Sequence, residues 1–197
     1  MEYGLPKSVT LSGAEYAVRY DYRAILDIFE VLNEENATQS ERISAALQIF
    51  YPDCEDLPGY PLYQEAIGEM FRFINGGKPE AQTGKKPQLV SWDKDFPYIV
   101  SAVNRVLGYE VRSIPYTRKE NTGGVHWWTF LSAYMEIGDC LFSQIVGIRS
   151  KVARGKKLDN GEKEFYRQNR DLIDIKTKIS DEQADFILSW SGKKAAP

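Results

Sequence analysis

The sequence contains one histidine and two cysteines among 197 residues, and this scarcity argues against several kinds of site. Ser-His-Asp and Cys-His catalysis would both have to use His126, because the chain has no other imidazole to act as the base. A zinc site needs several Cys, His or carboxylate ligands, and neither a Cys-x-x-Cys nor a His-x-x-x-His spacing occurs. Cys54 and Cys140 are too few for a disulfide framework, and we expect two reduced thiols in a cytosolic protein.

Long apolar runs, phosphate-binding loops and calcium-binding loops are missing as well. No stretch approaches the roughly 20 apolar residues of a membrane span. The acidic start lacks the basic and apolar parts of a signal peptide, so we expect neither feature. The spacing from Gly77 to Gly84 is wrong for a Walker loop, and the acidic residues 53–56 lack the closing Glu of an EF-hand. We therefore expect no enzyme, no metal and no cofactor, although a carboxylate pair assembled from distant segments stays open.

The formal net charge of −3 hides a gradient along the chain. Residues 1–70 carry a net charge of −9, whereas residues 149–178 carry +5. The basic run begins with Arg149, Lys151 and Arg154 and has no interleaved aromatic residue. It indicates a solvated helix end, a contact with an acidic protein surface or, least expected, a nucleic-acid site. Opposite charge in two regions also allows head-to-tail self-association.

The hydrophobic content of 43% is that of a globular protein, and the apolar residues recur mostly at helical spacing. Alternating residues around Ser12-Gly13 predict a β-hairpin over residues 8–20, whose apolar face must lie on another element, with the next helix as the nearest candidate. Asp21 is a plausible N-cap, and Thr38 with Glu41 fits a capping box. Later helices are predicted near 94–107, 125–136, 139–152 and 160–174, with a second capping box at 180–183. The predicted fold is mainly α, a bundle of about seven helices with an N-terminal β-hairpin.

One segment, residues 76–88, contains no large apolar residue, so ordering it would recover little burial. We therefore divide the chain into 1–75, with the hairpin and the first helices, and 89–192, with the later helices. The segment between them is a flexible linker or loop, and 193–197 is a disordered tail. The linker either separates two lobes or is a mobile loop within one domain.

Two adjacent tryptophans are the strongest local feature. Helical spacing places Trp127 on one face with Leu131 and Tyr134, whereas Trp128 lies about 100° around the helix. Either both indoles are core residues that face different neighbours, or one is core and the other helps to form a partner or self-association surface. We assign His126, Trp127, Leu131 and Tyr134 to the structural core. We assign Trp128 and Phe130 to partner binding, together with Arg149, Lys151 and Arg154.

Four blocks of residues together resemble a family of small bacteriophage proteins, the gene-product-fifteen family of long-tailed phages and prophages. They are Leu5-Pro6-x-Ser8-Val9-x-Leu11-x-Gly13-x-Glu15-Tyr16, Asp95-Phe96-x-Tyr98-Ile99, His126-Trp127-Trp128-x-Phe130 and Ile145-x-x-Ile148-Arg149. The resemblance extends over about residues 5–173, and the His-Trp-Trp block is its most specific part.

The resemblance implies a largely α-helical protein of phage tail morphogenesis that has no known catalytic residues. Its members are encoded between the major tail protein and the tape measure protein, the position of tail assembly chaperones. It therefore implies a chaperone in the host cytoplasm whose partners are the tape measure protein and the major tail tube protein. The alternative is a minor structural protein that is retained in the virion.

Overall fold

A computed structural model describes residues 4–53, 62–78 and 87–175 and confirms a mainly α fold with an N-terminal β-hairpin. The described residues form eight α-helices and four short strands. In chain order these are β1 (Ser8–Leu11), β2 (Ala14–Ala17), α1 (Tyr22–Leu32), α2 (Gln39–Phe50), α3 (Leu62–Ile74), α4 (Trp92–Leu107), β3 (Tyr116–Thr117), β4 (Thr122–Gly123), α5 (Trp127–Met135), α6 (Leu141–Ala153), α7 (Asn160–Gln168) and α8 (Arg170–Ile173). A single 3-10 turn, Val111–Ser113, lies between α4 and β3.

The predicted capping residues start the first two helices. The Asp21 side chain accepts a hydrogen bond from the Arg23 amide and so caps α1. At α2 the Thr38 hydroxyl accepts from the Glu41 amide at 3.3 Å, and the Glu41 carboxylate accepts from the Thr38 amide at 2.7 Å. These hydrogen bonds satisfy backbone amide groups that have no partner inside the helix.

The N-terminal hairpin pairs Val9 with Tyr16 and turns at Ser12 and Gly13, both of which have positive φ. The sequence suggested α1 as the element on which this hairpin lies, but its turn is tied to α3. The Ser12 amide and hydroxyl donate to the two carboxylate oxygens of Glu65, at 2.9 and 2.8 Å. This contact joins residues 53 positions apart, and nothing in the local pattern signals it.

The described residues form two compact units, of which the first contains 4–53, 62–78 and 110–131. It comprises the hairpin, α1 to α3, the β3–β4 pair and the start of α5. Its interior is built from apolar side chains of these elements, among them Leu11, Val18, Ile25, Ile28, Leu47, Phe50, Ile67, Met70 and Phe73. The β3–β4 pair places Tyr116 opposite Gly123.

The second unit contains residues 87–109 and 132–175, with α4, the end of α5 and α6 to α8. Its interior is formed by Ile99, Val100, Val103, Phe142, Ile145, Ile148 and Ile173. The helix predicted over 160–174 is interrupted at Asn169, whose side-chain amide bonds to the Phe165 carbonyl and ends α7. An asparagine can satisfy a helix end in this way, because its side chain competes with the backbone for hydrogen bonds.

The division at 76–88 stays a prediction, because residues 79–86 lie outside the described part of the chain. The second capping box at 180–183 and the tail at 193–197 lie outside it as well. Within the described ranges, no helix combines the length and the apolar character needed to cross a bilayer.

Candidate functional site

The His-Trp-Trp segment is held by backbone pairing with the residues that precede α1. The Tyr22 amide donates to the Val125 carbonyl at 3.0 Å, and the Trp127 amide donates to the Tyr20 carbonyl at 2.6 Å. Asp21 and His126 therefore face each other in a single antiparallel bridge. The bridge brings together the starts of α1 and α5, which are about a hundred residues apart in sequence.

The carboxylate of Asp21 is fully buried at this bridge. One oxygen accepts from the amide and the Nε of Arg23, and the other accepts from the Val125 amide at 2.7 Å. Gly124 makes room for this geometry, since a Cβ there would lie 2.0 Å from the carboxylate and its φ is +76°. The carboxylate has a cation and two amides as partners, which is what a buried charge requires.

His126 caps the first turn of α5. Its Nδ1 accepts from the Trp128 amide at 3.0 Å, so the proton of the neutral ring is on Nε2, which donates to the Pro6 carbonyl at 2.8 Å. The ring also stacks on Tyr20, with centroids 5.4 Å apart. Burial lowers the pKa of His126, and Lys7 acts in the same direction, against the hydrogen bond to Pro6 and the charge of Asp21. Both ring nitrogens are thus engaged with backbone groups.

The two indoles converge on one helix end. Trp127 Nε1 donates to the Ile74 carbonyl at 2.7 Å, and Trp128 Nε1 donates to the Phe73 carbonyl at 2.8 Å. These carbonyls belong to the last turn of α3, where the backbone has no partner inside the helix. The tryptophan pair is therefore a C-terminal cap for α3, a role that helical spacing cannot reveal.

The two rings differ in exposure. Trp127 is buried and stacks on Phe130. Trp128 is half-buried and lies over Gly77, where a Cβ would come within 3.0 Å of the indole. Of the pair, only Trp128 therefore keeps part of its ring at the surface.

The other predicted core and partner residues of α5 differ in how deeply they are buried. The sequence predicts Phe130 at a partner surface, but its ring is fully buried and stacks on Tyr22, with ring centroids 4.7 Å apart. Leu131 is half-buried. Tyr134 is half-buried beside Trp92 and Phe142, and burial raises the pKa of its hydroxyl. The Phe130 ring has no surface to offer a partner in this structure.

Arg149 was also assigned to partner binding, but it is only 5% exposed. It forms a bidentate pair with Asp95, at 2.6 and 2.9 Å, and donates further hydrogen bonds to the carbonyls of Leu89, Leu172 and Ile173. Every N–H of the guanidinium is thereby satisfied, which is the condition for burying such a charge.

The position of Arg149 in the sequence gives one indication of its buried ion pair with Asp95. Arg149 follows Ile145 by four residues, so helical spacing places a guanidinium on the apolar stripe of α6. A charge in that position needs a buried counter-charge.

Of the remaining basic residues, Lys151 pairs with Glu162, and Arg154 is exposed. Of the predicted partner residues, Trp128 belongs to the first unit and Arg154 to the second.

Among the described residues, no group of three or more His, Cys, Asp or Glu side chains is placed to hold a metal ion. Comparison with known proteins finds no matching curated protein and no matching solved structure. A family model described as "Bacteriophage Gp15 protein" matches residues 1–175. This match covers the hairpin, the His-Trp-Trp segment and the Asp95–Arg149 pair, and we conclude that the chain belongs to the bacteriophage Gp15 protein family.

Proposed function

We propose that this protein acts in phage tail morphogenesis as a tail assembly chaperone that binds the tape measure protein and recruits tail tube subunits in the host cytoplasm. The observation that carries the proposal is the family match over residues 1–175. The gene position that the resemblance implies, between the major tail protein and the tape measure, supplies the role.

The use of the ionisable side chains supports a binding role rather than a catalytic one. Both ring nitrogens of His126 are hydrogen-bonded to backbone groups, and the carboxylates of Asp21 and Asp95 are buried against arginines. General acid–base catalysis requires a group that can reach a substrate proton. These three side chains instead join segments that are distant in sequence.

We assign two separate contacts to the tape measure protein, the exposed part of Trp128 in the first unit and the charge of Arg154 in the second. A long, partly apolar helical partner would bury the indole face, and half-buried aromatic residues are typical anchors of such interfaces. Arg154 adds an attraction to acidic residues on that partner. It forms no ion pair with another described residue.

Affinity capture from phage-infected cells tests the proposal, with the tagged full chain as bait and the tape measure protein as the scored product. We expect capture by the wild-type chain and reduced capture by Trp128→Ala and Arg154→Glu. Trp128→Phe keeps an aromatic ring and should capture more than Trp128→Ala. Lys119→Glu reverses a charge at another exposed position and serves as the matched control. A wild-type chain that captures no tape measure protein would overturn the proposal.

Mass spectrometry of purified phage particles separates the chaperone from a minor structural protein of the virion. A chaperone that leaves before the tail is complete should be absent from mature particles. Recovery of this chain in stoichiometric amounts from those particles would identify it as a virion component instead.

A further inference from the structure

Large apolar side chains are exposed at the end of the second unit where α6 begins. Met135 ends α5 and is 64% exposed, Leu141 begins α6 and is 44% exposed, and Val106 in the last turn of α4 is 39% exposed. Arg105 holds these elements together, because its guanidinium donates to the carbonyls of Ile137 and Asp139 in the loop between α5 and α6. Three large apolar side chains are thus exposed on the helix ends that this loop and Arg105 connect.

The loop also carries two acidic side chains, which we call the acidic rim. Glu136 and Asp139 lie in the same loop, are exposed, and form no ion pair with another described residue. The nearby Arg105 directs its guanidinium at backbone carbonyls and not at these carboxylates. We call Val106, Met135 and Leu141 with this rim the apolar end.

The opposite end of α6 has the complementary character. Val152 is 47% exposed there, and Arg154, Lys156 and Lys157 follow it. Gly155, with a φ of +64°, turns the chain, and the Lys156 amide bonds back to the Lys151 carbonyl at 2.8 Å. This turn keeps the basic residues beside Val152 at the helix end.

Within the described part of the chain, no acidic side chain pairs with these basic residues. Lys151 is occupied by Glu162, and the carboxylate of Asp159 accepts from the Glu162 amide to cap α7. No ion pair joins Arg154, Lys156 or Lys157 to another described residue. We call these three residues with Val152 the basic end.

We propose that the basic end of one copy of this protein docks on the apolar end of a second copy. Val152 would be covered by the apolar side chains of the partner copy, while the lysines and the arginine would meet its acidic rim. The two ends are separated by the 13 residues of α6, or about 20 Å. Because each copy carries both ends and they are unlike, the contact is head-to-tail and can repeat along a chain of copies.

The small size of both ends limits the affinity that we expect between two copies. A few apolar side chains and two or three charges make a contact well below the size of a stable interface. The association should therefore be weak, reversible and concentration-dependent. It should weaken in high salt, because exposed charges are screened over about 10 Å at 0.1 M ionic strength.

Sedimentation velocity of the purified full chain over a concentration series tests the proposal without any phage partner, so its outcome is independent of the proposed chaperone function. The weight-average sedimentation coefficient of the wild type should rise with concentration and fall back in about 0.5 M salt, because the added salt screens the exposed charges. Met135→Lys should abolish the rise by placing a cation at the apolar end. Lys156→Glu/Lys157→Glu should abolish it from the basic end.

Mixing the two variants gives the sharpest result, because each keeps one intact end. An equimolar mixture should form pairs and nothing larger, and this recovery also shows that both variants are folded. Leu5→Lys changes an apolar residue that is 48% exposed in the first unit, and it should associate like the wild type. A wild type that stays monomeric at every concentration, variants that associate like the wild type, or a mixture that forms no pairs would each overturn the proposal.

Discussion

Replacing Arg149 by methionine should strongly destabilise the second unit, because it leaves the buried carboxylate of Asp95 without a counter-charge. Arg149→Met keeps the length and much of the apolar stem of the side chain but removes the guanidinium. The carboxylate of Asp95 then stays buried with the Ser91 amide as its remaining partner, at 2.8 Å. The carbonyls of Leu89, Leu172 and Ile173 lose their side-chain donor at the same time.

The magnitude follows from the uncompensated charge. Breaking a buried ion pair by removing one partner costs about 3–5 kcal/mol of unfolding free energy. Asp95→Asn/Arg149→Met removes the charge as well, while the asparagine can still accept from the Ser91 amide. The double variant should therefore be more stable than Arg149→Met by about 2 kcal/mol, although it carries one more substitution.

Urea denaturation measures this difference, followed by tryptophan fluorescence for the four proteins of the double-mutant cycle. The two single losses of unfolding free energy should together exceed the loss of the double variant by about 2 kcal/mol or more. Hydrogen exchange adds a local readout, since α4, α6 and α8 should lose protection together. A double variant whose loss equals the sum of the two single losses would show that the two side chains do not act as a pair and would refute the reasoning.

Three further predictions concern the first unit. Trp127→Ala should cost about 3–5 kcal/mol of unfolding free energy, because the buried indole leaves a cavity, whereas Trp128→Ala should cost about half as much; equal losses in urea denaturation would count against the difference in burial. The free energy of unfolding should fall as the pH drops below about 6.5, because the lowered pKa of His126 means that the unfolded chain binds the proton first. His126→Gln should flatten this pH dependence of the unfolding free energy between about pH 7 and 5.5, a range that includes the ordinary histidine pKa. Denaturation series at several pH values measure it. Gly124→Ala should unfold the protein at a much lower temperature than Gly138→Ala, since both glycines have positive φ but only Gly124 faces Asp21.

The sequence predicts the local parts of this fold well. Capping boxes, the turn at Ser12 and Gly13, and apolar stripes at helical spacing each depend on residues within a few positions of one another. The structure confirms the mainly α fold, the N-terminal hairpin and the caps at Asp21 and Thr38. These are the features for which short-range chemistry decides the outcome.

The long-range contacts could not be predicted in the same way. The indoles of Trp127 and Trp128 reach α3 across more than fifty residues, and Glu65 reaches the hairpin turn across a similar distance. A hydrogen bond between residues so far apart produces no periodic pattern in the sequence from which it could be predicted. The burial of Phe130 and Arg149 was missed for a related reason, because an aromatic or basic residue is equally suited to a surface and to a satisfied interior.

The residues by which the chain resembles its family are mainly ones that make contacts within each of the two units. Pro6 accepts from His126, Trp127 caps α3, and Asp95 pairs with Arg149. The apolar end and the basic end are formed by residues outside those blocks. A change at a buried family residue such as Trp127 or Arg149 should therefore lower the melting temperature and any association together. A change at either end of α6 should reduce association while the melting temperature stays the same, and this separation is what distinguishes a binding surface from a folding contact.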